Sequence, residues 1–429
     1  MNDPSIPDTT TIRRVELADL ARSIRPPVDD QTLDAARVIV NRVLEQGDDA
    51  VRGYAEQFGE RAPSEPLVLG EEQMTATLDA LPGETRDLLS RAAGRIRTFA
   101  ERQLAAIQPI DVPIAGGRAG HTIEPVASAG CYAPAGRYPL PSSVLMTAVT
   151  ARAAGCERVV VASPGAHPVA LAAAAVAGAD QFLAVGGAHA VAAMAYGING
   201  LAPCDVIAGP GNRWVTAAKQ LVSGVVGIDM LAGPSELLVI ADDSADPALV
   251  AADLLGQAEH DTDAVPMLVT TSKILAAAVD REVAEQLETL ETRDTARTAL
   301  RNGFVCVVGT LDEVRDAADT IAAEHVEVMM RGADTFAQSL RNAGALFIGA
   351  ASAEVIGDYG AGPNHTLPTG GTARFRAGLS VASFIRLRTW LRIDDTQEAK
   401  QLIKDTIELA NVEGLAAHAA SAARRVSLS

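Results

Sequence analysis

Aromatic side chains are scarce in this sequence, at 3% of residues, which withholds the stacking platform that single-stranded nucleic-acid binders rely on. Positive charge is also short: 36 Lys and Arg stand against 54 Asp and Glu, a formal net charge of −18. Such a chain repels phosphate backbones and anionic lipid surfaces, so neither nucleic acid nor membrane is expected as a partner. A small-molecule pocket is untouched by that argument, because local charge can differ from the whole. Only four cysteines occur, Cys131, Cys156, Cys204 and Cys306, with no CxxC spacing. Scattered thiols fit a reducing cytoplasm better than a disulfide framework. The opening MNDPSIPDTTTIRRVE has no apolar core of a signal peptide. Apolar stretches such as 169–178 are too short or too interrupted by glycine to span a bilayer. A cytoplasmic location is therefore expected. Two nucleotide signatures are missing as well, GxGxxG and GxxxxGK followed by Ser or Thr, and the second absence rules out a P-loop NTPase.

What is present suffices for a large core: 429 residues, 48% hydrophobic and 21% charged, with room for two or three domains. From residue 32 to about 108 apolar residues recur at three- and four-residue spacing, as in TLDAARVIVNRVLEQ, and predict helices. After the Gly/Pro-rich passage GCYAPAGRYPLPSS, short β-rich runs alternate with helical ones. ERVVVASP, QFLAVGG, DVIAG, ELLVIAD, PMLVTTS, FVCVVGT and ALFIGA read as strands of parallel sheets. The expected architecture is α/β, with two related, incomplete Rossmann-like parallel-sheet units and a small helical C-terminal part. Residues 1–25 read as a polar arm. Residues 26–131 with 237–378 form the first unit, 132–236 a second unit inserted into it, and 379–429 the helical tail.

Polar side chains with chemical capacity gather in few places. Gly209-Pro210-Gly211-Asn212 follows a strand and opens a helix, and Gly186-Gly187 makes another tight strand-to-helix turn. Either turn can bring helix-terminal N–H groups to a phosphate, or simply close a βα connection. Four of the seven histidines lie beyond residue 250, each near an acidic or amide residue. Gln257 and His260 end a helix that Asp246 and Pro247 start, and three-residue spacing puts them on one face. Glu324-His325 follows a helical run, and such a pair suits acid–base chemistry. Asp358 and Asn364-His365 sit in a Gly/Pro-dense loop, and Glu413 and His418 lie in EGLAAH near the C-terminus. Singly, each also fits a capped turn or a solvated helix end. Together they offer an amide oxygen, two imidazoles and a carboxylate, a set that zinc accepts and for which cobalt or manganese competes.

In this order the motifs resemble the histidinol dehydrogenase family. The matching stretches are GCYAPAGRYPLPSSVLMTA, AVGGAHAVAAMAYG, GPGNRWVTAAK, IDMLAGPSELLVIAD, LLGQAEHD, AAEHVEV, GDYGAGPNHTLPTGGTARFRAGLS and EGLAAH, over residues from about 125 to 420. The resemblance implies one zinc held at Gln257, His260, Asp358 and His418, and a general base at His325 with Glu324 as its acidic neighbour. It implies substrate contacts at Ser235 and Glu413, shared with His325 and the metal residues, and NAD contacts at Tyr132, His189 and Asn212. It implies a homodimer in which Glu413 and His418 serve the partner's site. The implied reaction oxidises L-histidinol through the aldehyde to L-histidine with two NAD, the last step of histidine biosynthesis. Four places depart from the family pattern: His189 stands where glutamine is usual, Arg213-Trp214 follows GPGN, Val326 replaces leucine, and Arg137-Tyr138 occupies the Gly/Pro loop. The alternative is a paralogue with the same zinc and base but another small alcohol, such as a sulfopropanediol. Glu413 speaks for histidinol, since it would meet the substrate's ammonium group.

Overall fold

The computed structural model describes residues 12–23, 28–135 and 139–426. The Arg137-Tyr138 departure lies outside the described residues. Strands in chain order are β1 (Val68–Gly70), β2 (Ile110–Ile114), β3 (Gly117–Pro125), β4 (Ser128–Tyr132), β5 (Arg158–Ala162), β6 (Gln181–Leu183) and β7 (Val206–Ala208). They continue as β8 (Gly227–Ile228), β9 (Glu236–Ala241), β10 (Val265–Thr270), β11 (Phe304–Val307), β12 (His325–Met329), β13 (Ala345–Ile348) and β14 (Ile385–Ile393). Among the described residues they form a six-stranded sheet ordered β1-β6-β5-β4-β7-β8, a five-stranded sheet ordered β11-β10-β9-β12-β13, and a three-stranded sheet ordered β14-β3-β2. The five-stranded sheet is wholly parallel, and the six-stranded one is parallel apart from β1 at its edge.

The parallel strands read as continuous apolar runs because helices cover both sheet faces; RVVVA and ELLVIA are buried almost throughout. Capping fixes where helices begin. Asp246 accepts from Ala248 N and Pro247 opens the helix Pro247–Glu259, as expected. Thr310 and Glu313 close a reciprocal capping box on the helix Leu311–Ile321. The four cysteines are free and buried, and no described helix is long and apolar enough to cross a membrane.

The α/β class stands, but the division of the chain differs from the expected insertion. Sheet membership runs sequentially: β4 to β8 complete the first sheet by residue 228, and the second opens at Glu236. The early helices pack on the first sheet rather than the second. Ala36, Val40 and Val43 share a core with Val160, Leu183 and Val215, while Leu89 and Ile96 join Val144 and Val161. Amphipathic helices carry no label for the sheet they cover, so their pattern misled the assignment. The N-terminal arm is less polar than its composition suggested. Ile12 and Leu20 are buried, and Arg14 bridges to Val305 of β11. The tail is not wholly helical either. Residues 385–393 form β14, paired antiparallel with β3 along its full length, as the alternation in IRLRTWLRI requires. Helices Lys400–Val412 and Ala416–Ala423 follow, as expected.

Candidate active site

The parallel register of β9 and β12 sets His325 beside Leu237, so Ser235 and Glu324 stand just before the amino ends of two neighbouring strands. The helix Pro247–Glu259 runs back from the far edge and delivers Gln257 and His260 to that same end. A short helix, Glu354–Asp358, returns after β13 and brings Asp358. Four separate stretches therefore converge at the amino edge of the second sheet. Ligands of open α/β sheets bind at the carboxyl edge in the usual arrangement.

Glu324 is buried, and its Oε2 accepts from Ser235 Oγ at 2.7 Å and from Glu236 N at 2.9 Å. His325 is also buried, with Nδ1 at 3.1 Å from the Glu236 carbonyl oxygen. A carbonyl can only accept, so the proton sits on Nδ1 and Nε2 presents its lone pair. That Nε2 has no hydrogen-bond partner and lies 3.7 Å from Asp358 Oδ1. Burial lowers the His325 pKa to about 3, with the cationic forms of His260 and His365 acting in the same direction. Burial likewise pushes Glu324 well above the usual carboxylate range, although the Ser235 and Glu236 bonds oppose it.

Beside this pair, His260 Nε2 lies 3.5 Å from Asp358 Oδ2. Ligand atoms of His260, Glu354 and Asp358 all fall within 4.8 Å of one another. Gln257 is fully buried at 0% exposure, and neither amide atom has a partner. A buried, unpaired primary amide is costly, and a cation accepting its oxygen would offset that cost. Burial raises Asp358 to about 7 and lowers His260, so hard and borderline donors crowd here without compensating charge. That donor set fits a zinc-type ion.

Glu354 was not among the expected site residues, and His365 was singled out in the Gly/Pro-dense loop without a ligand or catalytic role. His365 Nδ1 donates to the Asp358 carbonyl at 2.9 Å and Nε2 meets Ser143 Oγ at 3.2 Å, so it braces the loop bearing Asp358. Glu354 lies one helical turn before Asp358, with Oε1 at 3.4 Å from His325 Nδ1. Its four-residue spacing from Asp358 was a signal available in the sequence. Glu413 and His418, by contrast, are exposed and stand outside the metal-capable cluster found among the described residues. The surrounding tail exposes Leu409 and Val412, at 62% and 84%, an apolar face left uncovered.

The expected cofactor residues gather at the carboxyl edge of the first sheet. Here β4 is flanked by β5 on one side and β7 on the other, the kind of topological switch point at which open α/β sheets bind ligands. Tyr132 ends β4, and its hydroxyl accepts from Gly187 N at 3.0 Å, at the start of the helix Gly187–Tyr196. His189 is buried, its Nε2 at 2.9 Å from Glu60 Oε2 and its Nδ1 without a partner. Asn212 is exposed and caps the helix Arg213–Val222 by accepting from Trp214 N and Val215 N. The GPGN turn passes so close to β4 that a Cβ on Gly209 would lie 2.0 Å from the Tyr132 carbonyl oxygen, and its φ of +129° excludes other residues as well.

Fold and site together define an α/β enzyme with a buried Glu-His pair beside a cluster of nitrogen and oxygen metal donors. The family model described as histidinol dehydrogenase matches residues 25–426. A histidinol dehydrogenase of Parasynechococcus marenigrum is 43% identical over 96% of this chain and 95% of its own. A protein of Mesorhizobium japonicum described as histidinol dehydrogenase homolog 1 is 42% identical over 91% of this chain and 79% of its own. The crystal structure of histidinol dehydrogenase from Elizabethkingia anophelis superposes with a TM-score of 0.89 at 30% identity, covering 97% of each chain. The chain belongs to the histidinol dehydrogenase family and is an oxidoreductase.

Proposed function

We propose that this protein oxidises L-histidinol to L-histidine through the aldehyde, consuming two NAD, as the last step of histidine biosynthesis in the cytoplasm. The observation carrying this reading is the buried Glu324-His325 pair, clamped by Ser235 and Glu236, beside the metal-capable group of His260, Glu354 and Asp358, with the unpaired Gln257 amide on the helix that ends at His260. Gln257, His260 and Asp358 would hold zinc, with His418 of a second protomer completing the set. When bound, zinc supplies a fixed anchor and Lewis acid for the amino alcohol, and NAD accepts hydride at each oxidation.

The chain's own residues do the rest. His325 has its proton pinned on Nδ1, and with a pKa of about 3 it stays neutral through the physiological range. Its Nε2 is thus ready to take the hydroxyl proton in the first oxidation. Glu324, raised by burial, holds a proton strongly enough to take one from the water that adds to the aldehyde. Keeping both oxidations in one buried site avoids release of the aldehyde. Tyr132, His189 and Asn212 ring the crevice proposed for NAD. Glu413 and His418 are exposed beside an uncovered apolar face, which supports a homodimer whose tails complete each other's sites, with Glu413 meeting the substrate ammonium. Purified, zinc-loaded protein should form two NADH per L-histidinol. Turnover of a sulfonated diol with none of histidinol would overturn the assignment in favour of a paralogue.

A further inference from the structure

Counted from β4, the first sheet runs in the order 3-2-1-4-5 through β6, β5, β4, β7 and β8, the order of a mononucleotide-binding half. In that order an acidic residue near the end of the second strand accepts from the adenosine ribose 2′-hydroxyl of NAD. The second strand here is β5, and Ser163-Pro164-Gly165 follow it without a carboxylate. Glu60 reaches that place from another part of the chain, just after the helix Asp48–Gln57. A Cβ on Gly186 would lie 2.3 Å from Pro164 Cγ and 3.1 Å from Glu60 Oε1, and one on Gly165 would lie 3.8 Å from the Glu60 carbonyl oxygen. The carboxylate therefore stands where the end of β5 meets the turn after β6. Its Oε1 accepts from Gly186 N at 3.1 Å, and its Oε2 meets His189 Nε2 at 2.9 Å. Gly187 N, the next along the turn, donates to the Tyr132 hydroxyl at the end of β4. Both N–H groups that open the helix Gly187–Tyr196 are thus committed, and a negative charge already fills the position that a phosphate takes at a helix start.

We propose that Glu60 selects NAD over NADP. Its carboxylate accepts from the 2′-hydroxyl of the adenosine ribose and repels a 2′-phosphate. The inference rests on the crevice proposed for NAD and adds a residue to it. Two hydrogen bonds do not exhaust the group, since a carboxylate accepts at about four lone-pair sites, and the Glu60 side chain keeps 12% exposure. His189 holds it in position. A carboxylate only accepts, so the proton of that bond sits on His189 Nε2, and the imidazole lies against the rings of Tyr54 and Phe58, with centroids 5.6 and 5.7 Å away. The departure at His189 and the carboxylate of Glu60 thus work as one unit. The neighbouring cations are turned elsewhere. Arg61 donates to the Pro66 carbonyl at 3.1 Å and pairs with Glu65, and Arg52 donates to the carbonyls of Pro63 and Glu65.

The test titrates NADH, NADPH and 2′-deoxy-NADH into zinc-loaded wild type and Glu60→Gln, following nicotinamide fluorescence. Gln keeps an acceptor for Gly186 N and removes the charge. Wild type should bind NADPH at least about tenfold more weakly than NADH, as juxtaposed like charges require, and the Gln variant should close most of that gap. The ratio of the two dissociation constants is the readout, because a loosened turn weakens both dinucleotides alike. An unchanged ratio in the Gln variant would overturn the role of Glu60 while leaving the crevice intact, and so would wild type that binds NADH and NADPH equally well. Wild type that binds neither would overturn the NAD reading and Glu60 with it, an outcome readable before any variant is made. Should the Gln variant fail to fold, the wild type decides alone. There 2′-deoxy-NADH should bind at least about tenfold more weakly than NADH, as loss of a hydrogen bond to a charged group implies, and equal affinities would overturn the contact.

Discussion

Replacing Ser235 with Ala removes one of two hydrogen bonds that hold the Glu324 carboxylate. The lost bond is 2.7 Å from Oγ to Oε2, in a buried setting, and the 2.9 Å bond from Glu236 N remains. A hydrogen bond to a charged group contributes about 1.5–3 kcal/mol, and each 1.4 kcal/mol is a factor of ten, so ionised Glu324 becomes about 10- to 100-fold harder to form. The sign follows from which form the hydroxyl favours. It donates to the carboxylate, so its loss raises an already raised pKa further. Oxidation of histidinal at neutral pH should fall by that factor, and the rising limb of its pH profile should move upward by about one to two units. The assay is NADH formation from histidinal at saturating cofactor, with kcat and KM resolved at each pH. A higher KM with kcat and its pH limb unchanged would refute the reasoning. It would return Ser235 to the simple substrate contact that its family position implies.

Lys219 and Asp229 form an ion pair with almost no exposure beneath the GPGN turn, and both bond Gly209, from Lys219 Nζ to its carbonyl at 3.0 Å and from its N–H to Asp229 at 2.8 Å. Lys219→Met strands a buried carboxylate and should cost about 3–5 kcal/mol in denaturant unfolding, most of it recovered by adding Asp229→Asn. In metal-free protein the raised Asp358 favours its neutral form. That stabilisation is full below the ordinary carboxylate pKa of about 4 and is lost as pH rises through about 7. Thermal unfolding across that range should show the decline, and zinc should reverse it. Mixing a His418→Ala chain with a His260→Ala chain should restore part of the activity that neither has alone; complete failure to complement would count against shared sites.

Much of the fold was legible because parallel strands buried on both faces leave an unmistakable apolar run. Strands β5, β6, β7, β9, β10, β11 and β13, the cap at Asp246 and the helices Lys400–Val412 and Ala416–Ala423 were read from local pattern, whereas the short or edge strands β1 and β8 and the Gly/Pro-flanked β4 were not. Assembly was harder to read. A helix such as Asp30–Gln46 shows an apolar face but not its receiver, and only the packing of Val40 and Val43 assigns it to the first sheet. β14 was missed for another reason. Its arginines alternate with apolar residues over nine positions, and the helical segments after it drew the boundary forward.

The site shows the same division between local and long-range information. Gln257 and His260 were placed together by helix spacing alone, and the structure keeps them on one helix end. From local sequence alone Glu324-His325 read more readily as an exposed loop pair, yet both residues are buried. That burial is a property of register, since pairing His325 with Leu237 puts both side chains under the strand ends, where Ser235 and Glu236 can hold them. No window of sequence contains that pairing. The same register explains why AGPSE and AAEHVEV, 89 residues apart at Ser235 and Glu324, act as one clamp. Glu236 stands at the crossing of the two motifs, with its backbone committed to Glu324 and His325 and its carboxyl accepting from Gly370 N. Side-chain chemistry and strand pairing therefore constrain one another there more tightly than at the metal-capable donors His260 and Asp358, where a helix end and a loop must each arrive separately.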